Sequence, residues 1–285
     1  MIQQAVGCVE RGMRLLMTHH FSLRLGAAAL LAALACPAQA HDSWFERLPG
    51  GAAQPLLLLG TGNQFPARET AIGAEYLVRQ GCQGAAGGLG LSAVRYTPSA
   101  LLLRAAAQAT SCWVQLTPLD IELPADKVAP YLDEMNASAD LRATWAAMQA
   151  RGVRWQERYT KHARIELVPG GANAPVAELP ALNGIKTLGM DAKLLRKGGG
   201  LTFTVLRDGQ PVPGLAVELR SALPAAGTWH RTDEHGQFRV PALPAGRWLL
   251  RAIDLRPSSS QADQWESRFL TLAFEGGVGP AELQR

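Results

Sequence analysis

From residue 41 to about 123, apolar positions come in short runs. Residues 56–59, 76–79, 93–96, 100–104 and 112–116 have strand length and are bounded by Gly, Pro or Ser, with little signal at the helical period. A β-sandwich is the expected fold for this stretch. The period changes at Pro124. Asp126 is placed to cap a helix with Val128, Tyr131, Leu132 and Met135 on one face, and Asn136 to end it in the left-handed conformation. Pro130 falls in or just after the first turn, where its missing N–H is tolerated. Ser138 can cap a second helix with Leu141, Trp145 and Met148 on one face, ending at Gly152. A third short helix is expected from about Val153 to Lys161, with Trp155 and Tyr159 as an i, i+4 pair and Glu157 reaching Lys161. Residues 162–168 alternate again and read as a returning strand. Residues 41–168 are therefore expected to form an N-terminal β-sandwich with a helical insertion at 125–162.

Residues 169–185 open in a Pro-, Gly- and Ala-rich run and read as a linker. After it, Leu201, Phe203 and Val205 alternate with Thr202 and Thr204, and Asp208-Gly209 is a strong hairpin signal. Leu215, Val217 and Leu219 alternate with Glu218 and Arg220. A turn at 232–236 precedes Phe238 and Val240, and Leu270, Leu272 and Phe274 close the pattern. About seven strands at this spacing predict a C-terminal immunoglobulin-like sandwich over 186–285. The fold class is mainly β, with two β-sandwich modules and a small helical insertion in the first.

Residues 1–40 have a different purpose. A short basic region, an apolar run from about Phe21 and the close Pro37-Ala38-Gln39-Ala40 describe a cleaved signal peptide. The run from Leu25 to Ala35 is about half the ~20 residues a membrane span needs, so no permanent anchor is expected. Met17 can serve as the start. Lipidation at Cys36 fits its preceding residues poorly. Cleavage after Ala40 makes His41 the mature amino terminus and implies a periplasmic protein. It also leaves Cys82 and Cys112 as the only cysteines, which an oxidising compartment should pair.

The chain has 285 residues, 47% hydrophobic and 18% charged, an ordinary globular composition. Its net charge is +4, and losing one acid and three bases with the signal leaves +2. That excludes a strongly electrostatic nucleic-acid binder. There is no Gly-x-Ser-x-Gly, phosphate loop or dinucleotide fingerprint, so no enzyme is expected. An envelope hydrolase ranks far behind a binding role.

Several stretches resemble a known family. They are the mature start His41-Asp42-Ser43-Trp44-Phe45 and residues 60–66 (Gly-Thr-Gly-Asn-Gln-Phe-Pro), 121–132, 157–164, 205–214, 231–236, 246–252 and 265–269. Together they resemble domain of unknown function 4198, exported bacterial β-sandwich proteins once labelled as nickel-uptake components. The resemblance covers most of residues 41–275. It implies a two-part periplasmic β-sandwich and an association with nickel or cobalt.

The residues allow a matching chemistry. A mature His41 presents an amine and an imidazole that can chelate one transition metal ion, and imidazole suits nickel, copper and zinc. Asp42 adds an oxygen, and His162 is the first choice for a further nitrogen. A plainer reading is that His41 opens a strand and His162 caps a helix. His230 and His235 bracket a turn, and Trp229, Trp248 and Trp265 are read as a shared core ahead of a sugar-stacking surface. The expected function is the binding or delivery of nickel, cobalt or copper, with a membrane metal transporter or outer-membrane receptor as partner. The alternative is an envelope protein- or glycan-binding module without metal.

Overall fold

The computed structural model describes residues 41–49, 54–167, 188–197 and 199–277. The expected signal peptide (1–40) and linker (169–185) lie outside them.

The backbone of the fold is one nine-stranded sheet with a cover on each face. In its path order it contains β15 (Thr228–Arg231), β14 (Ala216–Ser221), β17 (Gly246–Pro257), β18 (Trp265–Gly276), β10 (Trp155–Glu166), β8 (Ser111–Leu116), β4 (Leu77–Gly84) and β5 (Gly87–Leu89), with β9 (Leu119–Leu123) paired to β10. One face is covered by a five-stranded sheet of β1 (Asp42–Arg47), β2 (Leu56–Gly62), β7 (Ala100–Ala105) and β6 (Leu91–Thr97), with β3 (Thr70–Ala71) on β2. Helices α1 (Ala125–Glu134) and α2 (Ala139–Ala150) pack farther along that same face. The opposite face is covered by β11 (Met190–Lys197), β12 (Gly200–Arg207), β13 (Gln210–Pro211) and β16 (Gln237–Pro241).

Strand alternation divides the side chains among these covers. On β17, Leu249 joins the core under the five-stranded sheet, Ile253 and Leu255 join the core under the helices, and Leu250 and Ala252 face the other way. Trp44, Phe45, Leu57, Leu59, Leu101 and Leu103 fill the first core and are fully buried, each such side chain contributing about 1.5–3 kcal/mol. Under the helices, Trp155 stacks on Trp265 with centroids 4.9 Å apart.

The expected mainly β sandwich architecture is what the structure shows. All five apolar runs of the first half lie in strands, except that Tyr76 falls in the turn before β4. Asp208 (φ 50) and Gly209 (φ 81) make the two-residue turn between β12 and β13. Asn136 has φ 50, and the Ser138 side chain accepts from Leu141 N–H at 3.3 Å. Cys82 and Cys112 lie opposite each other on β4 and β8 and are bonded across a sequence separation of 30. Closing that loop is worth roughly 3–4 kcal/mol in the chain-entropy model.

Three expectations are corrected. Residues 153–161 are not a helix: β10 runs unbroken from Trp155 to Glu166, so the helical insertion is limited to residues 125–150. An i, i+4 pair such as Trp155 and Tyr159 shares one face of a strand as well as of a helix, because four is also an even spacing. The helix α1 begins at Ala125 with no side-chain cap, and Asp126 sits inside its first turn. The two halves are also not separate sandwiches. β10 of the first pairs in parallel with β18 of the second, from Glu157 opposite Trp265 to Ile165 opposite Ala273.

Candidate functional site: the amino-terminal rim and its groove

His41 stands at the start of β1, and its backbone is held from two sides. Its carbonyl accepts a hydrogen bond from Lys161 Nζ at 2.7 Å. The next residue, Asp42, is buried and paired with Arg251. The imidazole itself is about half exposed, with Nε2 3.7 Å from Oε2 of Glu69. Glu69 is fixed in turn, accepting from the backbone N–H of Asn63 at 3.2 Å and from its side-chain amide at 3.1 Å.

The loop carrying Asn63 and Glu69 is shaped by close approach. A Cβ on Gly60 would collide with the carbonyl of Ser99, and one on Gly62 with the carbonyl of Ala67. Phe65–Pro66 is cis, and Phe65 packs edge-on against Trp44 at 5.8 Å. This loop forms one wall of an open groove of about 680 Å³, and residues 221–227 form the other. Glu69 belongs to its lining, as do Glu218 and Arg220 of β14.

A buried charge network lies behind the groove. Arg251 meets Asp42 at 2.8 Å, Glu218 at 3.1 Å and Glu134 at 3.3 Å. Burial opposes its charge, but the three carboxylates outweigh burial and raise its pKa. Arg220 Nε takes Glu218 at 3.0 Å. Lys161 is pushed down to about 8 by burial, against the attraction of Asp42.

Asp42 is therefore committed to Arg251 and does not join His41 in a ligand pair. His162 does not reach His41 either. Lys161 points to the His41 side of β10, so its neighbour His162 must face the opposite side. There it is buried, with Nδ1 3.3 Å from the carbonyl of Phe269 and Nε2 close against Gly189. Nε2 has no hydrogen-bond partner among the described residues. Burial, reinforced by Arg268 and Arg79, outweighs the Phe269 hydrogen bond and Asp208 and lowers its pKa to about 4. The expected set of His41, Asp42 and His162 is thus divided among an exposed rim, a buried ion pair and the far face of the sheet. Among the described residues no group of three or more His, Cys, Asp or Glu side chains converges as a metal-ligand set.

Other candidates also separate. His230 stacks on Phe238 at 5.1 Å, while His235 is exposed beside Glu234. Trp265 lies in the core under the helices and Trp248 against the second-half core. Trp229 is 39% exposed, so the three tryptophans share no core. Glu157, expected to reach Lys161 along a helix, is a buried carboxylate that accepts from Tyr131 at 2.8 Å, Trp155 at 2.9 Å and Ser267. Burial raises its pKa, against those three donors.

Sequence reasoning missed Glu69, Arg251, Glu218 and Glu134. Glu69 follows the family-like residues 60–66 and Arg251 lies inside the family-like residues 246–252, which were the available signals. The others meet only through tertiary pairing. No protein-family model matches the chain, and no curated protein does. Among solved structures the D0-D1 domain of Intimin is similar at 9% identity over 82% of this chain and 97% of that one, with a TM-score of 0.20. At that score the likeness carries no argument about this chain.

Proposed function

We propose that the protein is an exported, non-enzymatic binding protein. It captures one transition metal ion, nickel, cobalt or copper, at a mature His41 terminus and passes it to a membrane transporter or outer-membrane receptor. The observation that carries this reading is the presentation of His41. Its backbone is fixed by Lys161 and by the Asp42–Arg251 pair, while its imidazole is exposed with Nε2 toward Glu69.

Glu69 stands 3.7 Å from Nε2, and a small turn of the exposed ring brings Nε2–H onto the carboxylate, a pairing that leaves the Nδ1 lone pair for metal. Cleavage after Ala40 frees the α-amine, and the amine and Nδ1 of one histidine close a chelate. Glu69 is a positioning residue in this reading. His162 and Asp42 have no part in it. The metal must displace protons from its nitrogen ligands, so affinity falls as the pH is lowered.

The test is calorimetry with nickel and copper on the mature chain starting at His41 and on the same chain with one Ala added before it. The extended chain should bind at least tenfold more weakly. Equal affinities would sink the reading.

One observation favours the alternative, an envelope protein-binding module. Tyr76, Val78, Val94 and Tyr96, four large apolar side chains exposed by 38–54%, lie on β4, on β6 and on the turn before β4. Gln80 Nε2 donates to Leu91 O at 3.0 Å and ties β4 to β6 there. Substituting Val78 and Val94 by Ser should leave metal binding unchanged and abolish partner binding if this surface is the functional one.

A further inference from the structure

The groove beside His41 has a chemistry that a bare metal ion does not use. Its 680 Å³ lies within the range of small-molecule sites. Arg220 lines it and is 24% exposed, with Nε paired to Glu218 and the outer edge of its planar fork left for a second carboxylate. Asn63 and Gln64 line the wall that also carries Glu69, the carboxylate facing His41; the Asn63 amide N–H is already given to Glu69, so Gln64 and Arg220 are the donors left for a ligand. The floor is rigid, because Glu218 is also gripped by the buried Arg251.

We infer that the groove binds a small organic carboxylate that carries the metal, so that the ion reaches His41 as a chelate and not as a free ion. This rests on the metal reading above. Glu69 and Glu218 decide which form is accepted. A free polyanion meets the exposed Glu69 carboxylate and an Arg220 already half-neutralised by Glu218. Its metal complex, with most of that charge cancelled, meets mainly the attraction of Arg220 and the Gln64 amide. The groove should therefore discriminate between the loaded and empty carrier.

The experiment is equilibrium dialysis of the mature chain against free nickel, citrate alone and nickel citrate, with nickel and citrate both counted on the protein. Nickel citrate should be retained with both components in equal amounts, and citrate alone at least tenfold more weakly. Arg220→Ala should weaken retention of nickel citrate tenfold or more while free nickel binds as before. Arg220→Lys, which keeps the charge and loses the fork, should fall between. Ala226→Trp narrows the groove from an exposed loop position, so it tests occupancy without touching a charged partner, and it should act like Arg220→Ala.

If free nickel binds but citrate is not co-retained, or co-retention is indifferent to Arg220 and Ala226, the inference fails and the metal reading stands. If free nickel does not bind the native terminus, both fail.

Discussion

Arg251 and Arg164 are both buried guanidiniums among carboxylates, on opposite faces of the same sheet. Arg164 is sealed. Its Nη1 reaches both oxygens of Asp191 at 3.0 and 3.2 Å, its Nε takes Glu166 at 3.0 Å, and Ser111 accepts from Nη2 at 2.9 Å. Its partners Glu166 and Asp191 are only 9% and 7% exposed. Arg251 is equally buried, but its network grades outward: Glu134 is 25% exposed, and Glu218 also holds Arg220, which lines the groove. The first cluster staples strand β10 to β11, across residues 168–187. The second fixes the start of β1 and ends at an open surface. The same ionic chemistry thus serves as an internal fastener on one face and as the foundation of a candidate site on the other.

The comparison predicts unequal costs. Arg164→Ala strands Asp191 and Glu166 away from water, so it should destabilise by about 3–5 kcal/mol. Arg251→Ala should cost less, because Glu218 keeps Arg220 and Glu134 reaches solvent, which leaves Asp42 as the main stranded charge. Urea unfolding of the two variants measures the difference. Equal losses would erase the distinction between a sealed and a graded network. Replacing Arg164, Asp191 and Glu166 together by Met, Leu and Leu should recover much of the first loss, since a buried ionic cluster is costly mainly when broken from one side.

The disulfide comes next in size. Replacing Cys82 and Cys112 together by Ala should cost roughly 3–4 kcal/mol through the unfolded chain, measured by the same unfolding assay. Because Cys82 and Cys112 sit in the core beneath the five-stranded sheet, the metal affinity of the rim should be unaffected at temperatures where the variant remains folded.

His162 sharpens the contrast by pH. Its folded pKa is depressed to about 4, against about 6.5 in the unfolded chain. Its neutral form therefore contributes stability that is complete above pH ~6.5 and is lost as pH falls toward 4, in total roughly 3 kcal/mol. Glu157 runs the other way. Its folded pKa is raised by burial, so its protonated form favours folding at low pH and that gain is lost as pH rises through the folded value. His162→Gln should flatten the acid side of a stability–pH profile measured between pH 7 and 4. An unchanged slope would mean that His162 is not the group that titrates.

These outcomes also explain what could be read from the chain. Leu201, Phe203 and Val205 announce a strand because one face is covered and the other is not, and Ser138 and Asn136 announce helix boundaries because their chemistry is local. The pairing of Cys82 with Cys112 followed from counting. Residues 153–161 were misread because Glu157, a charge, occupies a buried position and hides the alternation, while Trp155 and Tyr159 satisfy both periods. The parallel pairing of β10 with β18 joins residues more than a hundred positions apart, which no local pattern encodes. His162 could be placed on a strand from sequence, but its face follows from the burial of Ala163 and Ile165 under the five-stranded sheet, on the side that Lys161 shares. Glu69 reaches His41 only because the loop over Gly60 and Gly62 folds back onto β1.

The smallest effect concerns Glu69 itself, and it tests the rim in isolation. Glu69 is about half exposed, and its partners are Asn63 and His41. Removing it should change folding stability by no more than ~0.5 kcal/mol, as for most surface positions. If its carboxylate orients the His41 ring through Nε2, Glu69→Ala should still weaken nickel or copper binding about 10- to 100-fold, the usual cost of losing an outer partner of a metal-bound histidine. Glu69→Gln keeps an oxygen that Nε2–H can turn to meet and should recover part of the loss, whereas a direct ligand role would not be rescued by a neutral amide. His162→Ala, measured beside them, should leave affinity unchanged. Calorimetry on the four proteins, all beginning at His41, therefore reads out both faces of β10 at once. Loss at His162 with none at Glu69 would mean that the metal sits on the buried face and that the rim is only the start of a strand.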